Sequence, residues 1–461
     1  MHERIEQDSI GKLTVDDSKY YGISTVRAQN NFPLSVKKTD LELIRQIAQI
    51  KAAAAQANEQ LGRISSQKSQ AIQQAVQEIL LGKLDDQFIL PEIQGGAGTS
   101  TNMNVNEVIA NRGLTIMGHH KGEYQYLNPQ DDVNAGQSTN DVYPSAGKLT
   151  TLLKARDLDN ALTYLISKLN QKAIEFADVK KVGRTQLQEA VTTTLGNSFH
   201  AFASALSRDQ QLLQNNLSTL NNLNLGGTAI GTGVNVSKGY KEILYAELRK
   251  IYHLNLQPAA DMLDGTQNLD PVVQVSGSLK TLATAIIKMS NDLRLMASGP
   301  KSGFNEIHLP ARQAGSSIMP GKVNPVIPEV AQQIAFEVMG NDTTITLAAA
   351  SGEFELNAFE PVIFHNLFES IDLLTEVCQI MADKCVVGIT ANKKKCQQDV
   401  DNSAETITSL TPIIGYEIAT GIVKESIKTG TNVYQILREK VKDNEIGHNK
   451  QLSAYLAKVG R

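Results

Sequence analysis

Hydrophobic residues recur at steps of three and four through the middle of the chain. The clearest run consists of Val272, Val275, Leu279, Leu282, Ile286, Met289, Leu293 and Met296. A second run with the same spacing consists of Leu367, Ile371, Leu374, Cys378, Met381 and Cys385. Each run places one apolar seam along a long helix, about 30 residues for the first, and such a helix must pack against others. The pattern predicts a mainly α protein with a central bundle of long helices, and it argues against alternating strands and helices.

Further helices are predicted over residues 39–62, 64–82, 144–177 and 193–222. Asp40 is the expected N-cap of the first, and Ser65 or Ser66 of the second. Changes of pattern near residues 142 and 395 suggest three domains. These are a mostly helical N-terminal domain (1–142), the central long-helix bundle (143–395) and a small C-terminal helical domain (396–461).

Charge and composition narrow the possible functions. The 461 residues include 44 Lys and Arg against 48 Asp and Glu, a net charge of −4 that does not suggest nucleic-acid binding. No apolar run approaches the roughly 18 residues of a membrane-spanning helix, and the polar N-terminus lacks the apolar core of a signal peptide. We therefore expect a soluble cytoplasmic protein without a nucleic-acid or membrane partner. The three cysteines fit no metal or redox spacing, and Cys378 and Cys385 lie on a helical seam where burial is expected.

Four polar, glycine-rich segments interrupt the helical pattern. They are GGAGTSTNMN (95–104), GQSTND (136–141), GRTQLQEA (183–190) and GSSIMPGKVNP (315–325). Neither these nor GGTAIGTG (226–233) has phosphate-loop or dinucleotide-binding spacing. One such segment alone is more often a turn that caps a helix, but four of similar composition weaken that interpretation. Neutral hydrogen-bonding side chains with one lysine, and no histidine or cysteine cluster, favour an anionic organic substrate over a metal ion.

The same segments, together with LGGTAIGTGVN and FNEIHLP, resemble the ordered signature blocks of the aspartase/fumarase superfamily, from about residue 10 to about residue 440. The resemblance implies three mostly helical domains, whose central bundle packs with three further copies into a twenty-helix tetramer core. It implies a homotetramer in which subunits share active sites. The implied reaction eliminates an amine or a hydroxyl from a succinyl group to release fumarate. We expect no cofactor, and no metal ligand among the site residues.

Three positions distinguish branches of this superfamily. Ser100, Thr139 and Gln186 resemble the residues that aspartate ammonia-lyases have at these three positions. Class II fumarate hydratases usually have Gln, Ser and His there instead. If the chain is not an aspartate ammonia-lyase, the alternative enzyme is a class II fumarate hydratase. The alternative to an enzyme is a non-catalytic member of the superfamily. Leu127–Asp131 departs from the His-Pro-Asn-Asp pattern of both branches, which places in doubt an accessory dicarboxylate site but leaves the main site untouched.

The resemblance also implies a role for each candidate site residue. Ser316 is the expected base that removes the C3 proton of the substrate. The β-carboxylate is expected to be held by Thr99, Ser138, Thr139 and Ser317, and the α-carboxylate by Lys322, Asn324 and Thr185. Asn140 is matched to the residue that holds the leaving amine, with Gln186 beside it. Glu329 either positions Lys322 or caps a helix, and His200, His253 and His308 are interpreted as structural or surface groups.

Overall fold

The computed structural model describes residues 3–443, 445–447 and 450–459, and long helices dominate it. The helices are α1 (Ile23–Asn31), α2 (Leu41–Gln60), α3 (Ser66–Leu80), α4 (Thr99–Ile116), α5 (Thr139–Glu175), α6 (Leu195–Leu217), α7 (Tyr240–Tyr252), α8 (Met262–Gln267), α9 (Asp270–Met296), α10 (Val326–Ala350), α11 (Glu360–Lys384), α12 (Lys393–Asn402), α13 (Thr411–Ile414), α14 (Tyr416–Thr429), α15 (Val433–Lys442) and α16 (Lys450–Val459). The predicted mainly α class is confirmed.

The strands are short and form two-stranded pairs. They are β1 (Glu3–Gln7), β2 (Lys12–Asp16), β3 (Lys180–Thr185), β4 (Gln188–Thr194), β5 (Asn222–Leu223), β6 (Gln257–Pro258), β7 (Ile307–His308) and β8 (Thr390–Ala391). Three pairs, β1–β2, β3–β4 and β7–β8, are antiparallel, and β5–β6 is parallel. The β3–β4 hairpin occupies the GRTQLQEA segment, for which the hydrophobic pattern predicted no strand.

Both predicted apolar seams are buried. The seam that ends at Met296 lies on α9, and none of its eight residues is more than 7% exposed. The seam that ends at Cys385 runs along α11 and just past it, with Cys378 and Cys385 as buried free thiols. Burial raises the pKa of each of these two thiols to about 12, so both remain protonated and unreactive at neutral pH.

The helix starts follow from local side-chain chemistry. Asp40 accepts a hydrogen bond from the Glu42 backbone N–H at 2.7 Å, and Ser65 accepts one from the Lys68 N–H at 3.3 Å. Helix α5 begins at Thr139, five residues before the predicted start at 144. Pro144 lies inside its N-terminal region, where the missing N–H leaves a carbonyl four residues earlier without its helical partner.

The chain divides into two compact units. Unit 1 contains the described residues up to Asn160 together with Asp209–Ala283 and Ile334–Thr375, and its N-terminal part packs α2 against α3, α4 and α7. Unit 2 contains Ala161–Arg208, Thr284–Gln333 and the described residues from Glu376 onward. In unit 2, β3 packs against α12, and a separate apolar cluster includes Leu410, Ile422 and Leu437. The three-domain division at residues 142 and 395 stays a prediction.

None of the helices in the described part of the chain combines the length and the apolar character that crossing a membrane requires.

Candidate active site

Unit 1 contains a pocket of about 440 Å³ that brings together four of the predicted residues, Thr99, Ser138, Thr139 and Asn140. Its remaining lining residues are Asn134, Gln137, Thr228, Ala229, Val234 and Asn235. The lining side chains are all uncharged, and most of them can donate or accept a hydrogen bond. Such a lining suits a small polar molecule that is held by hydrogen bonds rather than by an ion pair.

Two long helices begin at this pocket. Thr99 is the first residue of α4, and Thr139 and Asn140 open α5. Helix N-termini carry partial positive charge and unpaired backbone N–H groups, which favours a carboxylate next to them. The start of α4 requires Gly98, which has φ +83°, because a side-chain carbon there would lie 2.4 Å from the Tyr143 ring. The glycine before Thr99 is therefore fixed by packing as well as by backbone conformation.

A buried lysine lies behind this pocket. Lys51 of α2 is 0% exposed, and its Nζ donates to Asn134 Oδ1 at 3.0 Å and to Gln137 Oε1 at 3.3 Å. Asn102 Nδ2 also donates to Asn134, and at 3.0 Å to the hydroxyl of Thr139. The network orients three lining side chains from the protein interior. Sequence reasoning missed Lys51, although a single lysine within the alanine-rich, apolar stretch of a predicted buried helix was an available signal.

Burial shifts the pKa values of two groups near the pocket toward neutrality. Desolvation lowers the pKa of Lys51 to about 7, although the charge of Asp141 opposes this shift. Desolvation raises the pKa of the fully buried Asp141 to about 6, against the effect of three backbone hydrogen bonds and of Lys51. The pKa values of both groups therefore lie close to neutral pH.

Lys51 makes a testable contribution to the pH dependence of stability. Below about pH 7 the folded and unfolded chains both carry a protonated Lys51, so the full cost of burying the charge is present. Between about pH 7 and the usual lysine value near 10.5, only the unfolded chain keeps the proton, so stability rises with pH. We expect the free energy of unfolding of the wild type, relative to Lys51→Met, to rise by roughly 1 kcal/mol per pH unit across this window.

The measurement is urea unfolding of both proteins from pH 7 to pH 10. Asp141 titrates mainly below this window, so it adds little to the slope. Parallel stability curves for the two proteins would contradict the assignment of a depressed pKa to Lys51.

In unit 2, the segment GSSIMPGKVNP forms an irregular loop before α10, as predicted. The Gly315 N–H donates to the Lys322 carbonyl at 2.8 Å, and Asn324 Nδ2 donates to the Gly315 carbonyl at 2.7 Å. Within the loop, Ser316 Oγ accepts hydrogen bonds from the backbone N–H groups of Ile318, at 3.1 Å, and Met319, at 2.8 Å. Two donors to one hydroxyl oxygen stabilise its deprotonated form, which is the form that a base requires.

Lys322 and Asn324 line a larger pocket of unit 2, of about 1,040 Å³, together with Arg294, His308 and Glu329. Ser316 and Ser317 lie on the same loop but are not among its lining residues. Glu329 lies in the first turn of α10, and no ion pair joins it to Lys322 among the residues that the structure describes. Both interpretations of Glu329, positioning Lys322 and capping a helix, stay predictions.

Thr185 and Gln186 lie at the tip of the β3–β4 hairpin and line neither of these two pockets. Gln186 has φ +54° and Leu187 has φ +64°, so two residues other than glycine occupy left-handed positions in one turn. Strain of this kind persists where the surroundings impose it. The hairpin is anchored by Glu306, 0% exposed, which forms ion pairs with Arg184 and, at 2.9 Å, with Lys181.

The predicted site residues thus occupy three places in the chain: a neutral pocket of unit 1, the 315–325 loop of unit 2 with its adjoining pocket, and the hairpin tip of unit 2. Among the described residues, no group of three or more His, Cys, Asp or Glu side chains is arranged to hold a metal ion.

Known proteins similar to this chain share both sequence and structure with it. A family model described as a lyase matches residues 11–340. The chain is 49% identical over 440 residues to the aspartate ammonia-lyase of Pseudomonas aeruginosa, covering 95% of this chain and 93% of that protein. It is 48% identical over 439 residues to the aspartate ammonia-lyase of Helicobacter pylori, covering 95% of this chain and 94% of that protein.

Solved structures agree with the fold over nearly the whole chain. The fumarate lyase:delta crystallin from Brucella melitensis, bound to cobalt, superposes with a TM-score of 0.94 at 43% identity and covers 99% of both chains. A recombinant class II fumarase from Schistosoma mansoni superposes with a TM-score of 0.91 at 37% identity and covers 96% of both chains.

Proposed function

The chain belongs to the lyase family, and we propose that it is an aspartate ammonia-lyase, which converts L-aspartate reversibly to fumarate and ammonia. The observation that carries the proposal is 48% to 49% identity to aspartate ammonia-lyases over 95% of the chain. The unit 1 pocket at two helix N-termini supports it, because unpaired backbone N–H groups at helix starts favour a carboxylate.

Elimination from aspartate requires removal of the weakly acidic proton on C3. When that proton leaves, negative charge moves onto the β-carboxylate and gives a dianionic aci-carboxylate. Thr99, Ser138 and Thr139 are proposed to stabilise this charge by hydrogen bonds, together with Ser317 from the glycine-flanked loop of unit 2. Donors placed where charge develops lower the barrier without binding the ground state more tightly.

Ser316 is the proposed base. Its Oγ already accepts two backbone N–H bonds, which lowers the energy of the alkoxide relative to the hydroxyl. Closing the loop over the substrate would exclude water and strengthen these bonds further. The glycines at 315 and 321 supply the backbone freedom for such a closure.

The other end of the substrate carries the α-carboxylate and the ammonium group. Lys322 and Asn324 are proposed to hold the α-carboxylate, with Thr185 from the hairpin tip; lysine acts there as a point charge. Asn140 is proposed to hold the leaving amine, with Gln186 beside it. No cofactor is part of this chemistry, since the base and the donors come from the chain.

Substrate identity is tested by following the ultraviolet absorbance of fumarate with L-aspartate and L-malate offered separately. We expect fumarate from L-aspartate and at least ~100-fold less from L-malate at equal concentration, because a site built around one polar group rejects the analogue that lacks it. Fumarate from L-malate alone would identify the alternative, a class II fumarate hydratase. Activity on neither substrate would favour a non-catalytic relative.

We further propose that the chain forms a homotetramer in which several copies contribute residues to each site. Helix α10 supports association, because Phe336 is 57% exposed and Leu347 is 65% exposed on the same side of the helix as Gly340 and Thr343. A stripe of apolar and small residues on a long helix is typical of a helix-packing surface. The cytoplasmic location and the twenty-helix core remain predictions of the sequence.

A further inference from the structure

Local features leave the register of the β3–β4 hairpin tip weakly specified. Residues 185–189 are all exposed, so no buried apolar face selects which of their side chains point inward. The turn residues Gln186 and Leu187 adopt left-handed conformations that asparagine and glycine favour, so the turn does not select the register either. A shift by one residue would move the tip side chains to the opposite face. A contact from outside the hairpin must therefore fix the register.

The register already changes once within the hairpin. Val182 and Arg184 lie two positions apart in β3. Their partners in β4, Thr192 and Glu189, lie three positions apart. The extra residue of β4 forms a bulge opposite Gly183, where a side-chain carbon would lie 2.7 Å from a backbone oxygen of β4. The direction of the tip side chains therefore depends on how the chain is held on both sides of this bulge.

One buried carboxylate contacts β3 on both sides of the bulge. Glu306 is 0% exposed, and its Oε2 lies 2.9 Å from Nζ of Lys181, which precedes the bulge. Its Oε1 forms an ion pair with Arg184, which follows the bulge. In a flat strand these two side chains, three positions apart, would project from opposite faces. The twist that a bulge adds, and the length of both side chains, allow them to meet at one carboxylate.

The segment that carries this carboxylate is fixed by its backbone. The Glu306 N–H donates to the Met296 carbonyl at 2.8 Å, and the Glu306 carbonyl accepts the Asn392 N–H at 2.9 Å. The guanidinium carbon of Arg184 lies 4.4 Å from the centroid of the Phe304 ring. Residues 304–306 therefore hold the planar group of Arg184 by a carboxylate and by an aromatic ring.

The contacts of Arg184 determine the face on which Thr185 lies. Arg184 pairs across the hairpin with Glu189. Arg184 Nη2 lies 3.9 Å from Oδ2 of Asp399, a residue of α12. Glu189 accepts a hydrogen bond at 2.6 Å from Ser403 Oγ, just past the end of α12. Because successive pairs of a hairpin project from alternate faces, the next pair, which contains Thr185, projects from the face opposite α12.

We propose that Glu306 is a positioning residue: by holding Lys181 and Arg184 on the two sides of the bulge, it sets the register of the hairpin tip and so directs Thr185 toward the α-carboxylate of the substrate. The proposal rests on the proposed function, in which Thr185 helps to hold that carboxylate. Without the Glu306 carboxylate, two cations that are only 9% and 18% exposed face each other directly. Their repulsion favours other registers, in which Thr185 no longer faces the substrate.

The test is a double-mutant cycle on kcat and KM for L-aspartate, with Glu306→Gln, Thr185→Ala and the two combined. We expect Glu306→Gln to raise KM about 10-fold to 100-fold, the usual effect of losing a hydrogen bond to a charged group, and to leave kcat within about threefold. Thr185→Ala is expected to raise KM by a similar factor. The combined variant should lie within about twofold of the larger single effect, because both substitutions remove the same contact.

A purely structural role for Glu306 would give a different result. A glutamate that only stabilises the fold lowers the melting temperature, and its effect on KM is independent of Thr185. The effects of Glu306→Gln and Thr185→Ala on KM would then multiply. The cycle therefore separates positioning of Thr185 from general stabilisation.

A second variant applies if Glu306→Gln does not fold. Arg184→Lys keeps a positive charge beside Glu306 but replaces the planar fork by a point charge, and we expect KM to rise about 3-fold to 10-fold, with no further rise in the Thr185→Ala background. Arg112→Lys is the matched control, because Arg112 lies 2.6 Å from Glu78, contacts an aromatic ring and lines neither pocket. It is expected to leave KM unchanged.

The outcomes separate this proposal from the proposed function. A wild-type protein that releases no fumarate from L-aspartate would overturn both. With an active wild type, a KM within about twofold of normal in Glu306→Gln, or effects that multiply in the combined variant, would overturn the positioning role alone. An unchanged KM in Thr185→Ala would also overturn it. If Glu306→Gln does not fold, either of the first two results for Arg184→Lys is decisive in the same way.

Discussion

Replacing Ser316 with alanine is expected to lower kcat for L-aspartate by at least ~1,000-fold, with the fold and the substrate affinity retained. The hydroxyl is the proposed acceptor of the C3 proton, and the two N–H groups that contact Oγ come from the backbone and remain after substitution. The alanine variant can still bind both carboxylates, since their proposed partners are other residues. The loss should therefore appear in kcat rather than in binding.

The measurement combines steady-state kinetics with calorimetric binding of L-aspartate. Ser302→Ala is a suitable control, because Ser302 is exposed and is not among the lining residues of either pocket. It should retain normal turnover. Near-normal turnover of Ser316→Ala would remove Ser316 as the base, and an equal loss of affinity would indicate a binding role instead.

Mixing two inactive variants is expected to restore activity. Thr99→Ala should lose ~100-fold to 1,000-fold in kcat, because it removes one donor to the developing charge. If different copies supply Thr99 and Ser316 to one site, an equal mixture of Thr99→Ala and Ser316→Ala, unfolded and refolded together, contains sites with both native residues. Random assembly gives about a quarter of all sites in this state, so activity should recover to roughly 25% of the wild type.

Each variant refolded alone is the control and should stay below about 1%. Light scattering on the same samples reports their mass. A monomeric mass would contradict the homotetramer, and tetramers without recovered activity would show that one chain supplies both residues.

Two buried ionisable groups lie behind the unit 1 pocket. Lys51 and Asp141 are each fully buried; Lys51 donates hydrogen bonds to Asn134 and Gln137, and Asp141 accepts them from Ser138 and Thr228. An uncharged lining oriented by ionisable groups behind it suits the proposed stabilisation of the β-carboxylate by neutral hydrogen bonds, and the proposed charged partner, Lys322, is assigned to the α-carboxylate.

The sequence by itself determined the helices, because their signals are local. Apolar residues at steps of three and four, from Val272 to Met296, lie on one buried face of their helix. Asp40 and Ser65 each accept a hydrogen bond from a backbone N–H in the first turn of the helix that follows them. The irregularity of residues 315–325 also follows from glycine and proline within that segment. The signature segments were sufficient for the superfamily, because their order along the chain is a property of the sequence alone.

Only the tertiary structure determined which distant residues contact the signature segments. The contact of Lys51 with Asn134 spans 83 residues, and the contact of Asn140 with Ala229 spans 89, so no local pattern encodes either one. The hairpin at Thr185 was missed because its turn consists of Gln186 and Leu187, both in left-handed conformations. Asparagine and glycine, the residues that usually indicate such a turn in a sequence, are absent from these two positions. Local preferences set where each helix begins and ends, whereas packing between distant segments fixes which polar atoms face a substrate and in which orientation.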